Sequence, residues 1–448
     1  MAWGWVTGKG SESLMSKVSW LHISDMHISR PGGDYPIVRA HSQEKVLQAF
    51  LDYVRDTLPV ELDRINIERP SLVFFTGDLA FAGKKQDFDG PETGRSATNC
   101  VKEFLGKLCE RVNIPSTEAG KRIFLVAGNH DVCRDSAFLG LKRHEAANLE
   151  LAKDTNEVNE LLLSESGEQV STRRQILKRL GPYCDFYREF KGLSATTNPE
   201  DILWYTKHIS CLRASRPVYV VGLCSSWLCH SHWLVNQKGK AEENDEEPIV
   251  HLPLGGLKTE RLLGEVPKDA LCIALMHHDC DAIKAKDALE HIHGKCHLVL
   301  SGHGHDDMIW ARPLGGISHR LQAGSLYEQK EYRNAFNLVE LDLDSDRKTV
   351  RMVTIEWHQK NGWQIDRGAN PVRHHSSPGY QFDETTGVLT FPLQPAVEAS
   401  DINPVEPRPR ESEPVKGYFG RSRSENLDWL AGRWLTEGPP VCFLYTAS

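Results

Sequence analysis

The chain has 448 residues, 40% hydrophobic and 25% charged, with a net charge of −8. That length allows a large catalytic domain plus an appendage, and the composition is that of an ordinary globular protein. The acidic balance excludes a global basic footprint, so any nucleic-acid contact must be local.

Residues 1–16 are Gly/Ser-rich and read as a flexible N-terminus. Val18–Ser24 reads as a first strand. Residues 44–58 place Val46, Leu47, Phe50, Leu51, Val54 and Leu58 at helical spacing, which predicts a one-faced amphipathic helix. Leu72–Thr76 is a second buried strand, 97–111 a second helix and Ile123–Ala127 a third strand. This β-α-β-α-β rhythm predicts parallel strands with crossover helices.

Residues 134–214 break the rhythm: they are polar and helical in character, with no strand signal of similar strength. An insertion that long between site-bearing strands is expected to form a helical cap. Its segment 171–216 carries nine lysines and arginines against four acids, interleaved with Tyr183, Phe186, Tyr187, Phe190, Trp204 and Tyr205. Those aromatics read more simply as the buried side of cap helices than as platforms for bases. The acidic run 242–247 reads as a solvated loop.

Strands resume at Val218–Leu223, Leu271–Met276 and Leu298–Leu300, with a helix expected at 281–292. Arg320–Ala323, Ala335–Leu341 and Val350–Ile355 alternate as antiparallel strands do, and are expected to form the second sheet of a sandwich. A β extension at 359–394 and a Pro-rich linker at 395–416 follow a main domain spanning 17–358. The eleven cysteines are odd in number and lack any CxxC pair, as suits a reducing, cytoplasmic setting. No apolar run reaches membrane-spanning length.

Five blocks of ligand chemistry each close an apolar strand: Ser24-Asp25-Met26-His27, Thr76-Gly77-Asp78, Gly128-Asn129-His130-Asp131, His277-His278 and Gly302-His303-Gly304-His305. Two divalent ions about 3.5–4 Å apart can clamp the attacking and leaving oxygens of a phosphoryl displacement, and turn a bridging water into a hydroxide nucleophile. Asp78, at the tip of the second strand, suits the bridging carboxylate. Asp25 and His27 lie two apart and can face one side. Asn129 offers a carbonyl oxygen, and His277, His303 and His305 offer imidazoles. This mixed set suits Mn, with Fe, Zn, Ni or Co as alternatives. His130 is the expected general acid, with Asp131 orienting or charging its ring. The glycines of these blocks are expected where backbone passes close to metals and substrate.

Together the blocks resemble the calcineurin-like metallophosphoesterase family, whose pattern is DxH, GD, GNH[DE], H and GHxH; the similarity spans roughly residues 18–358. The resemblance implies an α/β fold, a four-layer αββα sandwich of two mixed sheets. It places Asp25, His27, Asp78 and His305 on one metal, Asp78, Asn129, His277 and His303 on the other, and His130 as the catalytic histidine. Of the adjacent pair it favours His277 over His278. Asp279-Cys280 departs from the prolines that many small phosphodiesterases carry there. The implied activity is phosphodiester hydrolysis on nucleotide or nucleic-acid substrates. Thr76–Gly83 and Gly222–Trp227 are similar to the cyclic-nucleotide branch, and the basic insertion points to a nuclease. A non-catalytic interaction scaffold of the same fold is the alternative; a site that had decayed would be expected to lack ligands, and none is missing here.

The tail 417–448, with Phe419-Gly420-Arg421, an amphipathic stretch and Pro440–Leu444, resembles the opening of a STAND-type NTPase just before its phosphate-binding loop. On that resemblance the phosphoesterase is the N-terminal effector of a truncated larger sensor, of the kind found in bacterial immunity proteins, with oligomerisation through the C-terminal region.

Overall fold

The computed structural model describes residues 17–28, 37–90, 100–133, 155–210, 216–229, 252–283, 285–304, 311–315, 317–327, 334–343, 348–367 and 379–393. The chain divides into two compact units, residues 1–230 with 251–402, and residues 231–250 with 403–448. Every described element belongs to the first. The flexible N-terminus, the acidic run, the linker and the NTPase-like tail expected from the sequence lie outside the described residues, as does His305.

Fourteen described strands build two mixed sheets. The first contains β1 (Lys17–Ile23), β2 (Leu72–Phe75), β3 (Ile123–Leu125), β10 (Ala335–Asp342), β11 (Thr349–His358), β12 (Gly362–Ile365), β13 (Gln381–Asp383) and β14 (Val388–Pro392). Its order is β13-β14-β11-β10-β1-β2-β3, with β12 pairing β11. The second contains β4 (Trp204–His208), β5 (Val218–Leu223), β6 (Leu271–Leu275), β7 (Leu298–Ser301), β8 (Ala311–Gly315) and β9 (Ser318–Gln322), in the order β4-β5-β6-β7-β9-β8. The two sheets with their helices form the expected αββα sandwich.

The parallel strands matter most for function. β1, β2 and β3 run parallel, as do β5, β6, β7 and β9. Parallel strands end on one edge, so the segments after β1, β2, β3, β6 and β7 emerge together. All five sequence blocks occupy those segments.

The long helical run over the first sheet departs from expectation. It begins at Ile37, passes through a π-helical turn at Tyr53–Thr57 and continues to Ile65. Pro59 explains the turn: its ring nitrogen cannot donate within the helix, and the wider turn lets the Leu58 amide reach the Tyr53 carbonyl instead. Fully buried Phe50 meets Phe336 of β10 edge-on at 4.9 Å and Trp363 of β12 at 5.8 Å. Truncating Phe50 to Ala would cost about 3–5 kcal/mol.

Three further expectations are corrected. β9 pairs parallel with β7, whereas β10 and β11 extend the first sheet beside β1, so these strands do not form a separate second sheet. The apolar alternation misled because β10 is buried on both faces. The single helix expected at 281–292 is a short 3₁₀ turn at Cys280–Ala282 followed by a helix at Lys286–Lys295. The insertion also contributes a strand, since β4 pairs antiparallel with β5.

The described part of the insertion is otherwise helical, at Thr155–Leu163, Gly167–Leu177, Gly181–Lys191 and Pro199–Leu203. Its aromatics Tyr183, Phe186, Tyr187, Trp204 and Tyr205 are buried. Phe186 stacks on Phe88 at 5.3 Å, and Tyr205 donates its hydroxyl to the Leu125 carbonyl of β3. Lys191 donates to the Gly120 carbonyl at 2.8 Å and to that of Ile123. Arg173 and Arg179 are buried, and Arg173 pairs with Glu200 at 2.7 Å. Three of the nine cations, Arg173, Arg179 and Lys191, are therefore taken up by contacts within the fold.

Candidate metal centre

Parallel topology brings the strand tips together, and backbone geometry then aims the ligands. Among the described residues, six non-glycine positions have positive φ: Asp25, His27, Asn66, Asp78, Asn113 and His303. Asn66 caps a helix in the left-handed region. Four of the others are predicted ligands, in a region costing roughly 1–3 kcal/mol each when non-glycine residues are held there. Such outliers persist where surrounding contacts over-determine them, and the contacts are present. Asp25 donates its amide to the Gly77 carbonyl, the amides of Met26 and His27 both reach the Asp78 carbonyl, and the His303 amide donates to Oδ2 of Asp25 at 3.0 Å.

Close approach explains the glycines. A Cβ on Gly77, whose φ is +100°, would lie 2.6 Å from Nδ1 of His277 and 2.8 Å from Gly128, and one on Gly128 would collide with the Asp78 carboxylate.

Asp78 is the centre. Its Oδ1 accepts the His130 amide at 2.7 Å. Its Oδ2 is buried without a hydrogen-bond donor among the described residues, 3.9 Å from Nε2 of His27 and 3.4 Å from Nε2 of His277. Asp25, Asp78 and His277 form one potential metal-binding group, and His27, Asp78 and His130 another. Burial alone would raise the Asp78 carboxyl, but the facing His277, His130 and His27 rings hold it well below the usual carboxylate range.

His277 supplies the sharper test of whether a cation fits. Its Nδ1 lies 2.7 Å from the Thr76 carbonyl, an acceptor, so that nitrogen carries hydrogen. In the neutral ring Nε2 is then a bare lone pair, yet it sits 2.8 Å from Oδ1 of Asn129 and 3.2 Å from Nδ1 of His303. Two imidazole nitrogens and a carboxamide oxygen thus converge at one point beside Oδ2 of Asp78, an arrangement that a proton or a metal ion can hold together. In the bare protein it is the proton: burial lowers the His277 value, but Asp78 and Asp25 outweigh it and push it up to about 9. The donor set fits a divalent cation.

His278 has other hydrogen-bond partners. Its Nδ1 meets the Ser225 hydroxyl at 2.9 Å, and its Nε2 lies 3.7 Å from the Cys229 sulfur. The arrangement separates the adjacent pair, with His277 on Asp78 and Asn129 and His278 behind it, although His278 also groups with His277 and His303.

His130 is half-buried, and its Nδ1 is hydrogen-bonded to the Phe81 carbonyl at 2.8 Å. That bond fixes the tautomer and leaves Nε2 as the working nitrogen. Asp131 has a different place from the one expected. Its carboxylate accepts the amides of Ala80 at 2.8 Å, Gly128 at 2.9 Å and Leu79 at 3.3 Å. It ties the loop after β2 to the loop after β3, while the Phe81 carbonyl orients His130. Burial and then the Asp78 charge push Asp131 up to about 7, against those three amides.

Sequence reasoning missed Gln43. Buried on the helix that begins at Ile37, it donates its carboxamide to the carbonyls of Met26 at 2.9 Å and His27 at 2.8 Å. The signal was present, since Gln43 sits three, four and seven residues before Val46, Leu47 and Phe50, a polar residue on the apolar stripe. His22, on β1, is buried against Thr76 at 3.2 Å and held down to about 3 by burial.

The sequence model of the calcineurin-like phosphoesterases matches residues 19–307, which holds all five blocks. The chain belongs to that family. Calcineurin-like phosphoesterases hydrolyse phosphoester bonds, and the clusters around Asp78 are able to hold metal. No curated protein matches the chain in sequence. Among solved structures, a Vps29 single mutant from Entamoeba histolytica is 11% identical over 78% of this chain and 97% of its own, with a TM-score of 0.29. A purple acid phosphatase from yellow lupin (Lupinus luteus) seeds is 10% identical over 78% of this chain and 53% of its own, with a TM-score of 0.34. A hypothetical protein from Thermus thermophilus is 15% identical over 76% and 99%, with a TM-score of 0.33. No described helix of this family member is long and apolar enough to cross a membrane.

Proposed function

We propose that the chain is a binuclear metal-dependent phosphodiesterase acting on nucleotide or nucleic-acid diesters. The observation that carries this is Oδ2 of Asp78, buried between the His27 and His277 imidazoles. Asp25, His27 and Asp78, with His305 from outside the described residues, would hold one ion. Asp78, Asn129, His277 and His303 would hold the other. Mn is the first expectation, with Fe, Zn, Ni or Co drawn by the same ligands. When bound, such a pair supplies charge neutralisation at the phosphoryl group and an activated water.

The chain's own residues do the rest. The Phe81 carbonyl keeps hydrogen on Nδ1 of His130, so the proton for the leaving oxygen travels from Nε2. Thr76 holds His277 with Nε2 toward Asp78, and Gln43 holds the turn carrying His27. The Phe81 ring, partly exposed and 5.6 Å from that of His130, offers an apolar face beside the site that supports a nucleobase-bearing substrate. The nine described cysteines are buried and the sequence holds no CxxC pair, which supports a reducing, cytoplasmic setting.

The test is turnover of bis-para-nitrophenyl phosphate with added Mn²⁺, followed by cyclic nucleotides compared with single- and double-stranded DNA. Cleavage of any diester that stops on chelation is expected. Hydrolysis of monoesters alone would overturn the diester reading, and no Mn-dependent hydrolysis would overturn the enzyme reading.

A further inference from the structure

Beside the ligand blocks lies a buried polar chain that belongs to none of them. Arg320, on β9, is 2% exposed, and its Nη1 pairs with Oδ2 of Asp279 at 2.5 Å. Asp279 immediately follows the His277-His278 pair. The second arm of the same guanidinium, Nη2, donates to Oε1 of Gln322, two residues along the strand. The Gln322 carboxamide in turn occupies the space where a side chain on Gly304 would be, so it packs directly on the backbone after His303. The main chain repeats the link: Gln322 pairs with Ser301 across β7 and β9, and the Ala323 amide donates to the Ser301 carbonyl.

One guanidinium therefore spans two loops that leave adjacent strands, one bearing His277 and the other His303, by an ion pair to Asp279 and a hydrogen bond to Gln322. Those two rings must keep Nε2 and Nδ1 3.2 Å apart for both to serve one ion. A buried ion pair is weak evidence for stability, because desolvation offsets most of the attraction. Its planar geometry does impose a spacing, which a lysine at the same position cannot do.

We propose that Arg320 is a positioning residue that, through Asp279 and Gln322, sets the separation of His277 and His303 and so the affinity of the second metal position. This rests on the metal assignment above. Outer partners of ligands typically influence metal affinity by about 10–100-fold.

The experiment is calorimetric titration of the full chain with Mn²⁺ after chelation, together with the melting temperature of the metal-free protein. Wild type should take up two ions. Arg320→Met should weaken one ion by about 10–100-fold and leave the other, and the metal-free melting temperature, close to wild type. The Asp279 side chain is already 24% exposed and can be hydrated once the arginine is gone. Arg320→Lys, which keeps the charge without the fork, should recover only part of the loss. Should Arg320→Met not fold, Gln322→Met must show the same one-ion loss. Two ions bound as tightly by the variants as by wild type would overturn the proposal, as would equal weakening of both ions with a lower metal-free melting temperature. A wild-type chain that takes up no Mn²⁺ would instead refute the metal centre itself.

Discussion

The backbone amide of His130 donates to Oδ1 of Asp78 at 2.7 Å, so one oxygen of the carboxylate is committed before any metal arrives. Oδ2 faces the His27 and His277 rings. The same bond couples the loop that carries His130 to Asp78, so the two are built as one unit.

Asp78→Ala removes the carboxylate that would bridge the two proposed ions. The expected result is loss of both ions in the Mn²⁺ titration, with diesterase activity reduced to background. Retention of two ions, or activity at the wild-type level, would refute the bridging assignment.

His130→Gln leaves the ligands in place and removes the proton donor. For a diester with an alkoxide leaving group, kcat should fall by about 100–10,000-fold, with the metal count unchanged. The fall should be much smaller with para-nitrophenolate, which needs little protonation to leave. Equal losses on both substrates would argue against a proton-donating role.

Asp131→Ala tests the reassignment of that residue. Three buried amides, those of Leu79, Ala80 and Gly128, lose their acceptor. With unsatisfied buried groups costing about 1–3 kcal/mol each, denaturant unfolding should register a loss on the order of 3 kcal/mol. A variant of unchanged stability with a displaced pH profile would restore the expectation that Asp131 charges His130.

The pH response should have opposite signs with and without metal. The His277 value is lowered by burial but raised more by Asp78 and Asp25, to about 9 from 6.5. Its stabilisation of the metal-free protein is complete below 6.5 and is lost as pH rises through about 9. Asp131, raised to about 7 from 3.8, adds a loss in the same direction between those values. Metal-free stability should therefore decline from mildly acidic pH to pH 9. Mn²⁺ must displace the His277 proton, so its affinity should climb over the upper part of that window. Thermal melts with and without Mn²⁺ across the range would check both slopes.

The sequence was legible where one physical cause dominates. Buried parallel strands write themselves as apolar runs, and a ligand after each run marks the edge they share. Partner choice was not legible: Ala335–Leu341 and Arg320–Ala323 read alike, yet one lies beside β1 and the other beside β7. Trp204–His208 was missed because only its first two residues are buried and the rest is polar. The helix Ser116–Arg122 buries only Ala119, so it carries no apolar period. Adjacency in sequence suggested that Asp131 contacts His130, and nothing in the pattern showed that the turn sends its carboxylate to the amides of residues 79, 80 and 128. The left-handed conformations of Asp25, His27, Asp78 and His303 left no mark in the pattern at all.

Those four conformations set the protein's robustness against its purpose. Each is a place where glycine would relax the backbone and erase a proposed ligand. A search for heat-resistant variants carried out without metal would therefore drift toward chains that endure heating and hydrolyse nothing. The same search with Mn²⁺ present would hold all four side chains in place, because only then does the ion reward the strain they carry.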